Sequence, residues 1–285
     1  MELTQKERVL ILGIIYKSWE DTIRFVDSIK RCLENEVRVI LVDNSETFPG
    51  SSFMEKIGSF DFITYIKSEK NLGYFQGARS GLTFYLKDNP VLPQWIIVCN
   101  VDIIFETPEF MNRLDSLENI PDPEVIAPAI ISNKWKTDYN PFRMSRIPLK
   151  KLFFYRFIYS NIIFHNGYIL FHYLKRIMKL MWHKIRVNRK SDLKPPVKIY
   201  APHGSCIIFH KNYFERGGTL DHASFLFGEE IFIGETARKL DLNVLYVPDI
   251  VVRHYEHSSI GNFISKRINK LYQQSIADMI KYYDQ

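Results

Sequence analysis

Residues 95–102, WIIVCNVD, decide the fold. Trp, Ile, Ile, Val and Cys make an apolar run of strand-forming residues. Asn100-Val101-Asp102 follows at once, so two polar side chains stand just past a strand end. Open α/β sheets collect ligands beyond the carboxyl ends of their strands. Working outward, similar apolar runs recur at 9–16, 37–43, 62–67 and 125–131, the second ending in Asp43-Asn44-Ser45. The intervals between them have room for helices. Residues 19–35 carry Ile23, Val26, Ile29 and Leu33 at helical spacing, and 76–87 follow a Gly-containing turn and stop at Asn89-Pro90. This alternation predicts an α/β protein with a doubly wound, mostly parallel sheet and helices on both faces.

The remaining sequence adds an excursion to that frame. A chain of 285 residues, 46% hydrophobic and 25% charged, can bury a full core. Residues 142–194 are dense in Phe, Tyr, Ile, Lys and Arg, with almost no acid before Asp192. Within them His172, Lys175, Arg176, Lys179, His183 and Arg186 share one helical face, and Leu170, Leu174, Ile177, Met181 and Ile185 the other. A basic face opposite a broad apolar one suits an anionic membrane surface, although the same pattern also fits a helix lying on its own domain. The longest stretch without a charged residue, 157–174, holds two His, two Asn and a Gly and fits hydrocarbon poorly. After Pro195-Pro196 the α/β pattern resumes with strands at 205–209, 244–247 and 250–253 and a helix at 231–240; residues 265–283 read as a closing helix. The expected division is therefore 1–141, a basic aromatic-rich helical insert at 142–194, 195–264, and a C-terminal helix at 265–285.

Composition narrows the chemistry. The opening MELTQKERVLILGIIY places charges before a short apolar run with no small-residue cleavage site, as in a buried first strand of a cytoplasmic protein. Cys32, Cys99 and Cys206 form no CxxC pair, which argues against a disulfide framework or a zinc site. A net charge of +6 favours an anionic partner. No GxGxxG follows the first strand, Gly13 stands alone, and no Walker pattern is present, so phosphate falls to a metal or to side chains. Asp102, past a strand end, suits a hard divalent cation, or else a turn or cap. Glu229-Glu230 stand at the start of the 231–240 helix, where the helix dipole favours carboxylates.

Taken together, Asp43-Asn44-Ser45, Asn71-Leu72-Gly73-Tyr74, Asn100-Val101-Asp102, the run Phe225 to Glu230, Val251-Val252-Arg253-His254 and Ser258-Ser259 resemble, in order and spacing, the bacterial family-2 glycosyltransferases, rhamnosyltransferases among them. The resemblance covers nearly the whole chain outside 142–194 and the tail. It implies a GT-A fold. It also implies that Tyr16 holds a nucleobase, that Asp43 reads its edge, and that Asn71, Gly73 and Arg79 line the nucleotide pocket, with Arg79 near the diphosphate. Asp102 matches the last acid of the metal motif, whose first acid is Asn100 here. His254 completes a site for Mn2+ or Mg2+, imidazole favouring Mn2+. Of the acidic pair, Glu230 is the implied general base of an inverting displacement, expected to be ionised as an ordinary carboxylate at neutral pH. His203, Gly204 and Glu229 fall toward the acceptor.

The implied partners are a nucleotide diphosphate sugar, UDP- or dTDP-linked, and a lipid-linked glycan acceptor of cell-surface polysaccharide synthesis. The implied location is the cytoplasm, peripheral to the inner face of the cell membrane. No nucleic acid is expected, because no recognition motif accompanies the charge. A catalytically silent sugar-nucleotide or glycan-binding protein of the same fold is the alternative. Phe232 and Thr236 replace the Asp and Arg many such enzymes carry there, which leaves the transferred sugar open.

Overall fold

The apolar runs of the first hundred residues form β1 (Val9–Ile15), β2 (Val37–Asp43), β3 (Ile63–Lys67) and β4 (Trp95–Asn100), linked by α1 (Trp19–Cys32), α2 (Ser51–Gly58) and α3 (Tyr74–Asp88). The structure, a computed structural model, describes residues 7–33, 37–117, 120, 123–183, 196–256 and 264–284. Every residue of β1 is buried. Alternation along the strand divides them: Val9, Ile11 and Ile15 join Phe25 and Ile29 of α1 in one core, whereas Leu10, Leu12 and Ile14 join Phe75, Ala78 and Leu82 of α3 in another. The sheet is thus covered on both faces.

Beyond β4 the chain adds β5 (Ile103–Phe105), α4 (Glu109–Ser116), β6 (Val125–Ser132), α5 (Leu149–Ser160), α6 (Ile162–His183), β7 (Val197–Lys198), β8 (Cys206–His210), α7 (Lys211–Glu215), α8 (Glu229–Lys239), β9 (Val244–His254) and α9 (Lys266–Asp284). The nine-stranded sheet has the order β3-β2-β1-β4-β8-β6-β9-β5, with β7 on β9. β1 to β4 are mutually parallel. β8 runs against both β4 and β6, while β6 and β9 are parallel to each other. β5 and β7 oppose β9. The sheet is mixed and mostly parallel, and Asp43, Asn100 and Asp102 fall at one edge.

The strands expected at 244–247 and 250–253 are one strand. Its pairing with β6 jumps from Pro128 opposite Val247 to Ala129 opposite Val251. Pro128 and Pro248 bring no amide N–H to the ladder at this point, so the register breaks without ending the strand.

The insert is built into the body at its base. Ile147, Leu152 of α5, Ile231 of α8, and Ile276 and Ile280 of α9 form a third core. Early in α6, His165 is buried and its Nδ1 lies 2.6 Å from Asn269 Oδ1. Further along, residues 170–175 are all exposed. A helix lying on its own domain buries a residue every third or fourth position; the expected apolar face is half exposed at Leu170 and Leu174 and partly buried at Ile177. Ile185, Arg186, His257, Ser258 and Ser259 lie outside the described residues, as do the side chains of Arg176, Lys179, Met181 and His183. No helix among the described residues is long and apolar enough to cross a membrane.

Candidate active site

At the end of β1, Tyr16 is 43% exposed, and its hydroxyl donates to Glu46 at 3.1 Å. Lys17 has φ 56°, reaches Glu46 at 3.0 Å, and holds its ammonium 5.1 Å from the Tyr16 ring centre. An open aromatic face therefore stands at a carboxyl strand end. Asp43 takes a different part from the expected reader of a base edge. It is fully buried, accepting from Tyr65 Oη at 2.6 Å, Trp19 Nε1 at 3.3 Å and Ser45 N at 2.8 Å, so it braces the pocket wall.

The loop before α3 is held by side-chain amides. Asn71 Oδ1 accepts from Gly73 N at 2.9 Å, and Asn44, which sequence reasoning left without a role, donates to Gly73 O at 2.8 Å. Gly73 has φ 81° and ψ −174°, a region open essentially to glycine alone. A Cβ there would lie 1.9 Å from Phe225 O. Strain and overlap each cost about 1–3 kcal/mol, so Gly73→Ala is expected to destabilise the protein by at least about 2 kcal/mol, measured by chemical unfolding. Arg79, expected at the diphosphate, pairs instead with Asp221 at 2.8 Å, one helical turn beyond Gln76, which also binds Asp221.

Pairing of β5 with β9 sets Ile103 opposite His254 and brings the imidazole beside Asp102. Nε2 of His254 lies 3.1 Å from Asp102 Oδ1. The two are not aligned as a hydrogen bond, and Asp102 Oδ1 and His254 Nδ1 are both buried without a partner. Two donors cis on an octahedral ion with bonds of about 2.1 Å stand about 3.0 Å apart. The spacing and the unpaired oxygen fit a divalent cation that Asp102 and His254 would hold between them. Among the described residues no third His, Cys, Asp or Glu joins them.

The β4–β8 register carries the site across the sheet. Cys99 opposes Cys206, and Asn100 N then donates to Ser205 O at 3.0 Å, next to Gly204. Gly204 O accepts from the buried Tyr74 hydroxyl at 2.7 Å, and Gly204 N donates to Glu230 Oε1 at 3.3 Å. A side chain at Gly204 would meet that same carboxylate at 3.0 Å. The Tyr74 hydroxyl is raised by burial and also by the charges of Glu229 and Asp102, which therefore lie around one buried point. Asp102, two residues beyond Asn100, and Glu230 thus lie on either side of Gly204-Ser205 at the ends of β4 and β8.

The acid pair departs from an ordinary carboxylate. Burial, reinforced by the charge on Glu230, pushes Glu229 up to about 8. Glu230 is raised by burial as well, but its own backbone N–H, that of Gly204 and the Arg143 guanidinium draw it back. Both carboxyls therefore hold a proton more readily than a free glutamate, and the donors and the cation around Glu230 favour its charged form. Phe227, with φ 69°, feeds the pair into α8. Its ring stacks on Tyr272 at 4.0 Å and its carbonyl accepts from Ser275 Oγ at 2.9 Å, so α9 holds the turn.

His203 is stacked on Tyr139 with ring centres 4.9 Å apart and accepts from Ser205 N at 3.2 Å through Nδ1, which leaves its proton on Nε2. Burial, with the nearby His254 adding to it, lowers its pKa to about 4, so it is neutral at physiological pH. Tyr139 is anchored in turn by Glu256, which also accepts from Ser132 Oγ at 2.6 Å. Tyr139, Tyr272 and Glu256 escape a sequence reading because their partners are remote in the chain and they belong to no short motif, and Tyr74 stands in one that does not show its bond to Gly204.

No family model matches the chain. It is similar to the low-salt glycan biosynthesis hexosyltransferase Agl10 of Haloferax volcanii, at 25% identity over 244 residues, covering 86% of this chain and 66% of that protein. It is also similar to the N-acetylglucosaminyl-diphospho-decaprenol L-rhamnosyltransferase of Mycobacterium tuberculosis, at 21% identity over 262 residues, covering 88% and 77%. Among solved structures, GalNAc-T7 with UDP, GalNAc and Mn2+ superposes with a TM-score of 0.60 at 15% identity, covering 96% of this chain and 49% of that one. The mannosyltransferase PcManGT of Pyrobaculum calidifontis, in complex with GDP-Man and Mn2+, gives 0.52 at 13% identity, covering 98% and 71%. The chain thus spans about half of GalNAc-T7 and just under two thirds of Agl10. Low identity sustained along most of the chain, together with a shared architecture, gives its place: it has a GT-A fold and is distantly homologous to the haloarchaeal hexosyltransferase and the mycobacterial rhamnosyltransferase.

Proposed function

We propose that the chain transfers a sugar from a nucleotide diphosphate sugar, UDP- or dTDP-linked, to a lipid-linked glycan acceptor with inversion, as a step of cell-surface polysaccharide synthesis. The observation that supports this reading is the pairing of Asp102 with His254 and of Glu230 with Gly204, linked by the bond from Asn100 N to Ser205 O. Tyr16 stacks on the nucleobase while Asp43 stiffens the wall behind it, and Asn71 and Gly73 shape the loop that receives the nucleotide. Asn100, beside Gly204, borders the donor sugar. Asp102 and His254 hold Mn2+ or Mg2+, which when bound neutralises charge on the departing diphosphate. Glu230 accepts the proton of the acceptor hydroxyl as its oxygen attacks the anomeric carbon. Glu229, which holds a proton more readily than a free glutamate, limits a second negative charge near the entering oxygen. His203, through Nε2–H, and Gly204 border the acceptor sugar.

A membrane location is supported by α6, whose Leu170, Phe171, Tyr173 and Leu174 are exposed beside Lys175. The mycobacterial relative's name states a diphospho-decaprenol substrate, in keeping with a lipid-linked acceptor here. The test is a thermal-shift screen of sugar nucleotides with and without Mn2+, since a ligand of the folded state raises Tm, followed by transfer from the best donor. A metal-dependent shift and an inverted product are expected. A shift without transfer to any lipid-linked acceptor would leave a silent sugar-nucleotide binder, and no shift with any donor would remove the reading altogether.

A further inference from the structure

Between Asp138 and Asp192 the sequence has no carboxylate, yet Arg143, Arg146, Lys150, Lys151 and Arg156 crowd the base of the α5–α6 hairpin. Arg146 is accounted for: its guanidinium binds both oxygens of Glu235, at 2.7 and 2.8 Å, and covers the Tyr283 ring at 4.0 Å. Arg143 has no such bond: its Nε is buried without a hydrogen-bond partner, its guanidinium lies 5.3 Å from the Phe142 ring, and its charge reaches Glu230 without contact. Lys151 likewise lies over an aromatic ring, that of Tyr155, at 5.8 Å.

Lys150 and Lys151 also stand in the first turn of α5, which has no acid in that turn and no side-chain cap at Pro148. The positive end of a helix repels such residues, and an anion bound there would reverse the sign of the interaction. The feature that unites these groups is a cavity of about 220 Å³ lined by residues 141–148 and Lys151. It is smaller than the roughly 300–1,000 Å³ of pockets that take whole small molecules, which suits a phosphate head rather than a sugar nucleotide.

Its position gives it a role. Arg143 bridges to Ala201, two residues before His203, and the Phe142 ring meets His203 edge-on at 5.5 Å. On the other side, α5 presents Phe153, Phe154 and Phe157 to solvent. We infer that Arg143 and Lys151, at the positive end of α5, form a subsite for the diphosphate of a lipid-linked acceptor, whose sugar lies toward Glu230 and whose chain follows the exposed aromatic residues of α5. This rests on the acceptor class proposed above and adds the residues that recognise it.

The full chain, kept in EDTA so that the donor site holds no metal, is tested by calorimetry with inorganic pyrophosphate. It is tested in parallel by flotation with phosphatidylcholine vesicles doped with undecaprenyl diphosphate, or with phosphatidylglycerol to the same surface charge. Pyrophosphate binding and preference for the diphosphate lipid are expected. Charge-assisted hydrogen bonds of this kind make Arg143→Gln/Lys151→Gln lose about tenfold or more in both. Lys151→Gln alone, an exposed change, is expected to lose part of that without altering the unfolding transition. Unchanged affinities in the variants overturn the subsite. Equal binding of the two vesicle types, or pyrophosphate binding without lipid preference, overturns its assignment to the acceptor. Absence of sugar transfer with the binding pattern intact would instead remove the proposed reaction and leave the subsite standing.

Discussion

Glu230→Gln is expected to lower kcat about 10²–10⁴-fold, the range attributed to general acid–base catalysis, with donor affinity nearly unchanged. The amide has the shape of the carboxylate and retains an oxygen for the Gly204 N–H, now 3.3 Å from Glu230 Oε1. What it loses is the ability to take a proton. Because burial raises the Glu230 carboxyl above its ordinary value, kcat/KM of the parent enzyme is expected to fall on acidification through a midpoint above the usual Glu value of about 4.3, and this acid limb is expected to vanish in Glu230→Gln. Single-turnover transfer at a series of pH values measures both. Full activity in the variant would remove the assignment. The same pair sets a stability trend. Glu229 binds its proton more tightly in the folded state, near pH 8, than when unfolded, near the ordinary 4.5. Its contribution to stability is therefore complete below about pH 4.5 and is lost as pH rises toward 8.

Asp102→Asn is the second large effect. Among the described residues the carboxylate is the one anionic donor beside His254, and exchanging it for a neutral amide would leave a divalent cation with an imidazole as its protein ligand. Metal stabilisation of a leaving group is worth several kcal/mol, and each 1.36 kcal/mol is tenfold in rate. Transfer is accordingly expected to fall by about 10³-fold, together with the Mn2+-dependent part of the donor-induced Tm shift. His254→Ala should weaken metal dependence without abolishing it, seen as a higher Mn2+ concentration for half-maximal rate. Undiminished transfer by Asp102→Asn in EDTA would exclude a metal at this position.

Much of this arrangement is legible in the primary structure. β1 to β4, β6 and β8 announce themselves as short apolar runs, because strands buried on both faces need apolar side chains throughout. The polar residues that end β2 and β4 and the Glu229-Glu230 pair that opens α8 lie where those runs stop and start. The three residues of β5 are too few to carry a pattern, and the joined β9 is hidden by Pro248-Asp249, which reads as a stop. The roles of Asp43 and Arg79 differed for a related reason: residue type and position locate a side chain at a strand end or on a helix, but Tyr65, Trp19 and Asp221, which occupy these two groups, arrive from elsewhere in the chain.

The order of apolar and polar residues alone determined the α/β alternation and the strand ends where ligands gather, since each depends on neighbours within a few positions, while the resemblance to the family-2 glycosyltransferases singled out the acidic groups. Tertiary structure alone decided that Asp102 meets His254 without a hydrogen bond, that Gly204 brings Tyr74 and Glu230 together, and that burial raises both Glu229 and Glu230 above an ordinary carboxylate. Those properties arise from desolvation and from distances between residues far apart in the chain, quantities that exist once the chain has closed around them.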